Sequence, residues 1–272
     1  MKRFLHVSFA FFLQLSAWAQ FENPLFIPDT LSGTTFNLTV DEAAVQFLPG
    51  DSTATYGINA PYLAPTLFLN KGDFVQMHVT NQLADTTTMH WHGLHVAPED
   101  DGGPHTKILP GETWSPDFTV LDEASTFWYH PHLHHKTAQQ VYNGAAGMLI
   151  VRDENEASLD LPRTYGVDDF PIILQDKTFD DNNQLIFAAM ADTLMVNGTM
   201  APYLEVPAQR VRLRFLNASN QRVQHCAAAH HQSAHDWQRW WPAGNTGTGV
   251  GAGHGTGRAS RICARFFRLH RV

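Results

Sequence analysis

From residue 20 to residue 222 the chain is broken by Pro or Gly at strand-sized intervals, and no segment between the breaks sustains a long helical period. That punctuation argues against a helical bundle and against the strand–helix alternation of an α/β fold. The runs between the breaks are short and rich in β-branched and aromatic residues. Residues 34–40 alternate apolar and polar side chains, as a half-buried strand does. Residues 66–69 lead through Lys71-Gly72-Asp73 into residues 74–79, which reads as two strands about a turn. Residues 126–129, 147–151, 171–175 and 211–216 repeat the pattern. An all-β sandwich or barrel is the expected fold. The chain has 272 residues, 43% of them hydrophobic and 16% charged, enough to bury a core in one large domain or two ordinary ones.

The first nineteen residues read as an export signal. Lys2 and Arg3 form a basic flank, residues 4–15 are mostly apolar, and Ala17-Trp18-Ala19 fits a cleavage site. No later apolar run approaches the ~20 residues of a membrane span, so the expected product is exported, periplasmic or secreted. The net charge of −8 argues against nucleic acid as a partner. Two cysteines, Cys226 and Cys263, are too few for a disulfide scaffold. Asn37, Asn197 and Asn217 each open a glycosylation triplet, a pattern that also arises by chance.

The composition is unusual in its sixteen histidines. Two pairs stand out: His90-Trp91-His92-Gly93, and His130-Pro131-His132 followed by Leu133-His134-His135. In an extended strand residues i and i+2 share a face, so each pair aims two imidazoles the same way. Four imidazoles without a thiolate suit copper or zinc rather than calcium or magnesium. Pro131 between two such residues fits a strand end, where no ladder hydrogen bond is lost.

These residues resemble the multicopper oxidases, the family of laccases, bilirubin oxidases and cuprous oxidases. The family's first copper motif, His-Trp-His-Gly, stands at 90–93, and its second, Trp-Tyr-His-Pro-His, at 128–132. Asp101-Gly102-Gly103-Pro104, Leu109-Pro110-Gly111-Glu112 and Gly144-Ala145-Ala146-Gly147 also match. Val196-Asn197-Gly198 and Phe215-Leu216-Asn217-Ala218-Ser219 are similar to the opening of the family's second domain. The resemblance covers roughly residues 25–222. It implies a cupredoxin-like Greek-key sandwich over residues 20–153 and the start of a second over 160–222; the polar, acidic composition of 153–159 reads as a linker between them. It also implies that His90 holds the type 2 copper, that His92 and His130 share one type 3 copper, and that His132 holds the other. Asp101 matches an acidic residue that assists proton delivery. His134 and His135 fall outside the ligand positions, and His78, His95 and His105 read as structural. The implied activity couples oxidation of a phenolic, metal-ion or similar reductant to reduction of dioxygen to water.

The resemblance fails beyond Arg222. The family's remaining ligands lie in a carboxyl-terminal domain as His-x-x-His-x-His and His-Cys-His. Here Cys226 follows His225 but precedes Ala227, and Cys263 lies between Ile262 and Ala264. No type 1 copper site is therefore expected. Residues 223–272 hold six arginines against one acid, Asp236, with a glycine-rich run and no strand alternation. Tryptophan has one codon, so in the reading frame shifted by one base Trp237, Trp240 and Trp241 force a Gly-x-x-Gly-Gly skeleton, similar to a second-domain segment of the family. The tail thus reads as frame-shifted and is expected to add no buried strand. The chain is expected to bind copper but to be truncated and inactive alone. The alternatives are a non-enzymatic exported copper-binding module and the non-functional product of a disrupted gene.

Overall fold

The computed structural model describes residues 22–188, 190–207, 209–224 and 226, with the backbone of 260–262. The export-signal reading of residues 1–19 and most of the tail reading fall outside these residues. In chain order the first elements are β1 (Asn23–Pro24), β2 (Thr30–Ser32), β3 (Thr35–Val45), β4 (Thr53–Ile58), β5 (Thr66–Asn70) and β6 (Phe74–Asn81). Then come β7 (His90–His92), β8 (Thr113–Trp114), β9 (Asp117–Thr119), β10 (Ser125–His130), the helix α1 (Thr137–Tyr142) and β11 (Gly147–Arg152). The short helix α2 (Glu154–Ser158) leads to β12 (Asp169–Lys177), β13 (Thr193–Val196), β14 (Thr199–Met200), β15 (Pro202–Val206), β16 (Arg212–Asn217) and β17 (Ser260–Ile262).

Two sheets face each other, ordered β2-β5-β11-β10-β7 and β4-β3-β6-β8, with β9 also on β6. Between them lie Phe36, Leu38, Val40, Leu67, Leu69, Val75, Met77, Val79, Trp91 and Tyr129, all essentially excluded from water. Strand β3 shows why: Phe36, Leu38 and Val40 alternate inward while Thr35 and Asn37 face out. The other strands of this core follow the same period, so the side chains interdigitate as in an aligned sandwich.

β11 is buried on both faces, and the period of two decides which core each residue enters. Leu149 and Val151 pack into the first core, whereas Met148 and Ile150 meet Ile173 of β12 in a second. Behind it, the sheet β14-β13-β12-β16 carries a third cluster that includes Phe170, Ile172 and Leu174. Asn197 and Gly198 both take positive φ, 49° and 76°, in the two-residue turn joining β13 to β14. The Asn197 side chain is buried, accepting from Ile173 N–H and donating to the Phe26 and Pro171 carbonyls. This sequon thus has an asparagine held by structure, with no room for a glycan.

The stretch 153–159 is held rather than loose. Asp153 caps α2 by accepting from Glu156 N–H, and the buried Glu156 carboxylate pairs with Arg163 and Arg212. β17 runs antiparallel to β15, with Leu204 opposite Ile262, so the backbone of three tail residues pairs; the expectation that the tail adds no buried strand concerns side chains outside the described residues.

Lys177 closes β12 with its ammonium out of water. It donates to the Tyr142 carbonyl at the end of α1 and lies 4.3 Å from the Tyr142 ring centre. Burial depresses its pKa from 10.5 to about 7, with the Asp176 charge opposing. The sign is therefore that stability is lowest at and below neutrality and grows between pH 7 and about 10, where only the unfolded chain keeps the proton. Urea unfolding of the wild type should gain on Lys177→Met by about 1 kcal/mol per pH unit across that window. A constant difference between the two proteins would contradict this.

Candidate metal centre

The two histidine pairs are brought together by register. β7 and β10 are antiparallel neighbours with His92 opposite Trp128, Trp91 opposite Tyr129 and His90 opposite His130. Trp91 and Tyr129 point into the first core and lie 6.2 Å apart, ring centre to ring centre. The alternate face then presents His90, His92, Trp128 and His130, and His132 follows just past the strand end. Ring centres lie 5.5 Å apart for His90–His92, 5.6 Å for His90–His130 and 5.2 Å for His90–His132. His92–His130 and His130–His132 measure 5.3 and 5.9 Å. All four sequence-predicted histidines therefore share one cluster.

Each ring is oriented by a neighbour. His130 Nδ1–H donates to the Pro131 carbonyl at 2.7 Å, and Trp128 stacks on the same ring at 3.9 Å. Burial lowers the pKa of His130 from 6.5 to about 3, so the ring is neutral at physiological pH and its Nε2 carries a lone pair. That Nε2 lies 3.1 Å from His92 Nδ1. Burial also lowers the pKa of His92, and the neighbouring His90 and His132 reinforce the shift. Two neutral imidazoles thus turn nitrogens toward each other, an arrangement in which a metal ion can replace the shared proton.

His90 is fixed by the loop that follows β7. Its Nδ1–H donates to the Asp101 carbonyl at 2.9 Å, and the Asp101 carboxylate lies 3.3 Å from the same nitrogen. Trp91 Nε1–H donates to the Asp100 carbonyl next door. The turn requires Gly102: its φ is +70°, and a Cβ there would lie 1.6 Å from the Met89 carbonyl oxygen. Gly102→Ala should cost roughly 1–3 kcal/mol for the left-handed backbone alone, and more for the collision. It should also free the His90 ring, visible as a changed imidazole NMR signal with the His130 signal left in place. Retention of the wild-type His90 signal would contradict the assignment.

His132 is placed from the backbone. Its N–H donates to Thr88 Oγ1 at 2.6 Å, and its Nδ1 is buried without a hydrogen-bond partner. The threonine run before β7 is laced to α1, because Thr87 Oγ1 donates to Gln140 Oε1 and Gln140 Nε2 donates to the Thr86 carbonyl. Sequence reasoning does not single out Thr88, Trp128 or the Pro131 and Asp101 carbonyls. Three threonines shortly before His-Trp-His are the available signal for Thr88. Among the described residues no three His, Cys, Asp or Glu side chains already form a metal-holding group. The donor set nonetheless fits copper: four imidazoles, one nitrogen pair face to face and one orphaned buried nitrogen.

The other described histidines lie elsewhere. His78 Nδ1 meets Ser115 Oγ at 2.9 Å, and His95 Nδ1 meets Asp122 Oδ1 at 2.6 Å. His105, His134 and His135 are exposed.

A profile of the multicopper oxidase family matches residues 39–156, which include both histidine pairs. The chain belongs to the multicopper oxidase family. It is 42% identical over 219 residues to the cell division protein FtsP of Escherichia coli, covering 77% of this chain and 46% of that protein. It is 40% identical over 205 residues to the multicopper oxidase mco of Staphylococcus aureus, covering 73% and 45%. The crystal structure of a laccase from Pediococcus acidilactici superposes with a TM-score of 0.70 at 39% identity, covering 73% of this chain and 46% of the laccase. The sandwich is accordingly cupredoxin-like. The chain spans slightly less than half the length of these relatives.

Proposed function

We propose that His90, His92, His130 and His132 supply half of the ligands of a three-copper cluster. His90 serves the type 2 position, His92 with His130 one type 3 position, and His132 the other. The observation that carries this reading is the 3.1 Å approach of His92 Nδ1 to His130 Nε2 between two neutral rings. Residues 20–153 then form a complete copper domain, and residues 160–222 open a second. Bound copper would supply the one-electron chemistry that couples a phenolic, metal-ion or similar reductant to dioxygen.

The chain's own contribution is to hold and orient. The Pro131 and Asp101 carbonyls fix which nitrogen of His130 and His90 faces the cluster. The Asp101 carboxylate is partly open to solvent beside His90, a position from which it can pass protons inward. The 272 residues contain no His-Cys-His motif, so a type 1 position and its electron supply lie outside what this chain offers. Export to the periplasm or medium rests on residues 1–19. No helix among the described residues is long and apolar enough to cross a membrane.

X-ray absorption at the copper edge of the copper-loaded chain tests the site. The reading predicts nitrogen ligation with imidazole scattering, reduced when His92 and His130 are replaced. A copper–sulfur shell, or no imidazole signature, would overturn it. A second reading is a non-enzymatic copper-binding module. It is favoured by the 42% identity to a relative named for cell division rather than oxidation.

A further inference from the structure

Of the nine histidines among the described residues, four form the cluster and two, His78 and His95, are held by Ser115 and Asp122. The remaining three are exposed, and His134 lies next to each of the other two. The His134 and His135 ring centres are 3.8 Å apart, and those of His105 and His134 are 6.2 Å apart. They come from two segments that meet where His134 N–H reaches the Pro104 carbonyl at 3.5 Å. His135 takes φ +65°, a left-handed backbone that glycine would adopt at less cost. His135 thus holds a left-handed backbone with its ring against the exposed His134.

We propose that His105, His134 and His135 form a second, solvent-facing copper site that takes up the ion beside the four-histidine cluster. The imidazole-only donor set favours copper over the other divalent first-row ions. The three rings do not converge in advance. Exposed side chains close on an ion by moving between staggered rotamers, and the ordering this requires makes the site weaker than the oriented cluster. The patch adjoins the cluster along the chain. His134 lies two residues beyond His132, and His105 four beyond Asp101, whose carbonyl holds His90. Metal uptake at this patch stands by itself; delivery to the cluster rests on the function proposed above.

The test is a copper(II) titration of the full chain, following both bound copper and paramagnetic broadening of the imidazole NMR signals. Wild type should show a tight phase and a weaker one. The variant His105→Ala, His134→Ala, His135→Gly should lose only the weaker phase and fill the tight one severalfold more slowly. Glycine at 135 suits the left-handed backbone and protects the fold, which thermal unfolding would verify. The variant His90→Ala, His132→Ala should keep the weaker phase. Sharp signals from His105, His134 and His135 throughout, or an unchanged titration in the triple variant, would overturn the proposal. A wild type showing only a weak phase that the triple variant removes would instead refute the four-histidine reading and leave the patch standing.

Discussion

Replacing His130 by Ala should lower the affinity of the cluster for copper by more than about a hundredfold, beyond the range usual for losing a residue that merely supports a ligand. The expectation follows from position. His130 is the ring that faces His92 nitrogen to nitrogen, and its ring centre lies 5.6 Å from that of His90 and 5.9 Å from that of His132. Its burial keeps it neutral, so at physiological pH only the proton shared with His92 Nδ1 competes for Nε2. His78→Ala, at a ring bonded to Ser115 instead, should leave binding unchanged. Equal affinities for the two variants, measured by competition against a chelator, would remove the basis for the assignment.

Asp169→Ala should destabilise the fold by about 3–5 kcal/mol, because it strands a buried guanidinium. Arg214 Nε and Nη2 reach the Asp169 carboxylate at 2.7 and 2.8 Å, and both side chains are almost fully excluded from water. The third nitrogen, Nη1, donates to Thr126 of β10. The pair therefore ties β12 and β16 to the strand that carries His130. A fall in the urea midpoint equivalent to less than about 1 kcal/mol would show that Arg214 finds solvent or another partner. The double variant Asp169→Leu, Arg214→Met should recover much of the loss, since neither charge then remains buried.

Much of this architecture is legible in the chain. Alternation in residues 34–40 and the Pro and Gly breaks identify strands whose inward faces are those found in the first core. The His-x-His spacing places two imidazoles on one face because a strand has a period of two, and Trp91 between them is buried for the same reason. What spacing cannot reveal is the register of β7 against β10, which sets His90 opposite His130 and joins the pairs. The orientation of the rings is equally hidden, because it depends on backbone carbonyls of Pro131 and Asp101 that any residue could supply. The acidic composition of residues 153–159 conceals their helical, ion-paired form. Glu156 is buried only because Arg163 and Arg212 arrive from later in the chain. Asn197-Gly198 is a local signal of a different kind, a dipeptide that suits the two-residue hairpin turn it forms.

Oxygen uptake by the purified, copper-loaded 272-residue chain with a phenolic reductant bears most directly on whether four imidazoles suffice. Neither a His-x-x-His-x-His nor a His-Cys-His motif occurs in these 272 residues, and a second copy of the chain would bring only the same motifs. The expected result is bound copper, no intense blue absorption, and uptake equal to that of copper in buffer. Blue absorption together with sustained uptake that disappears in His130→Ala would contradict it.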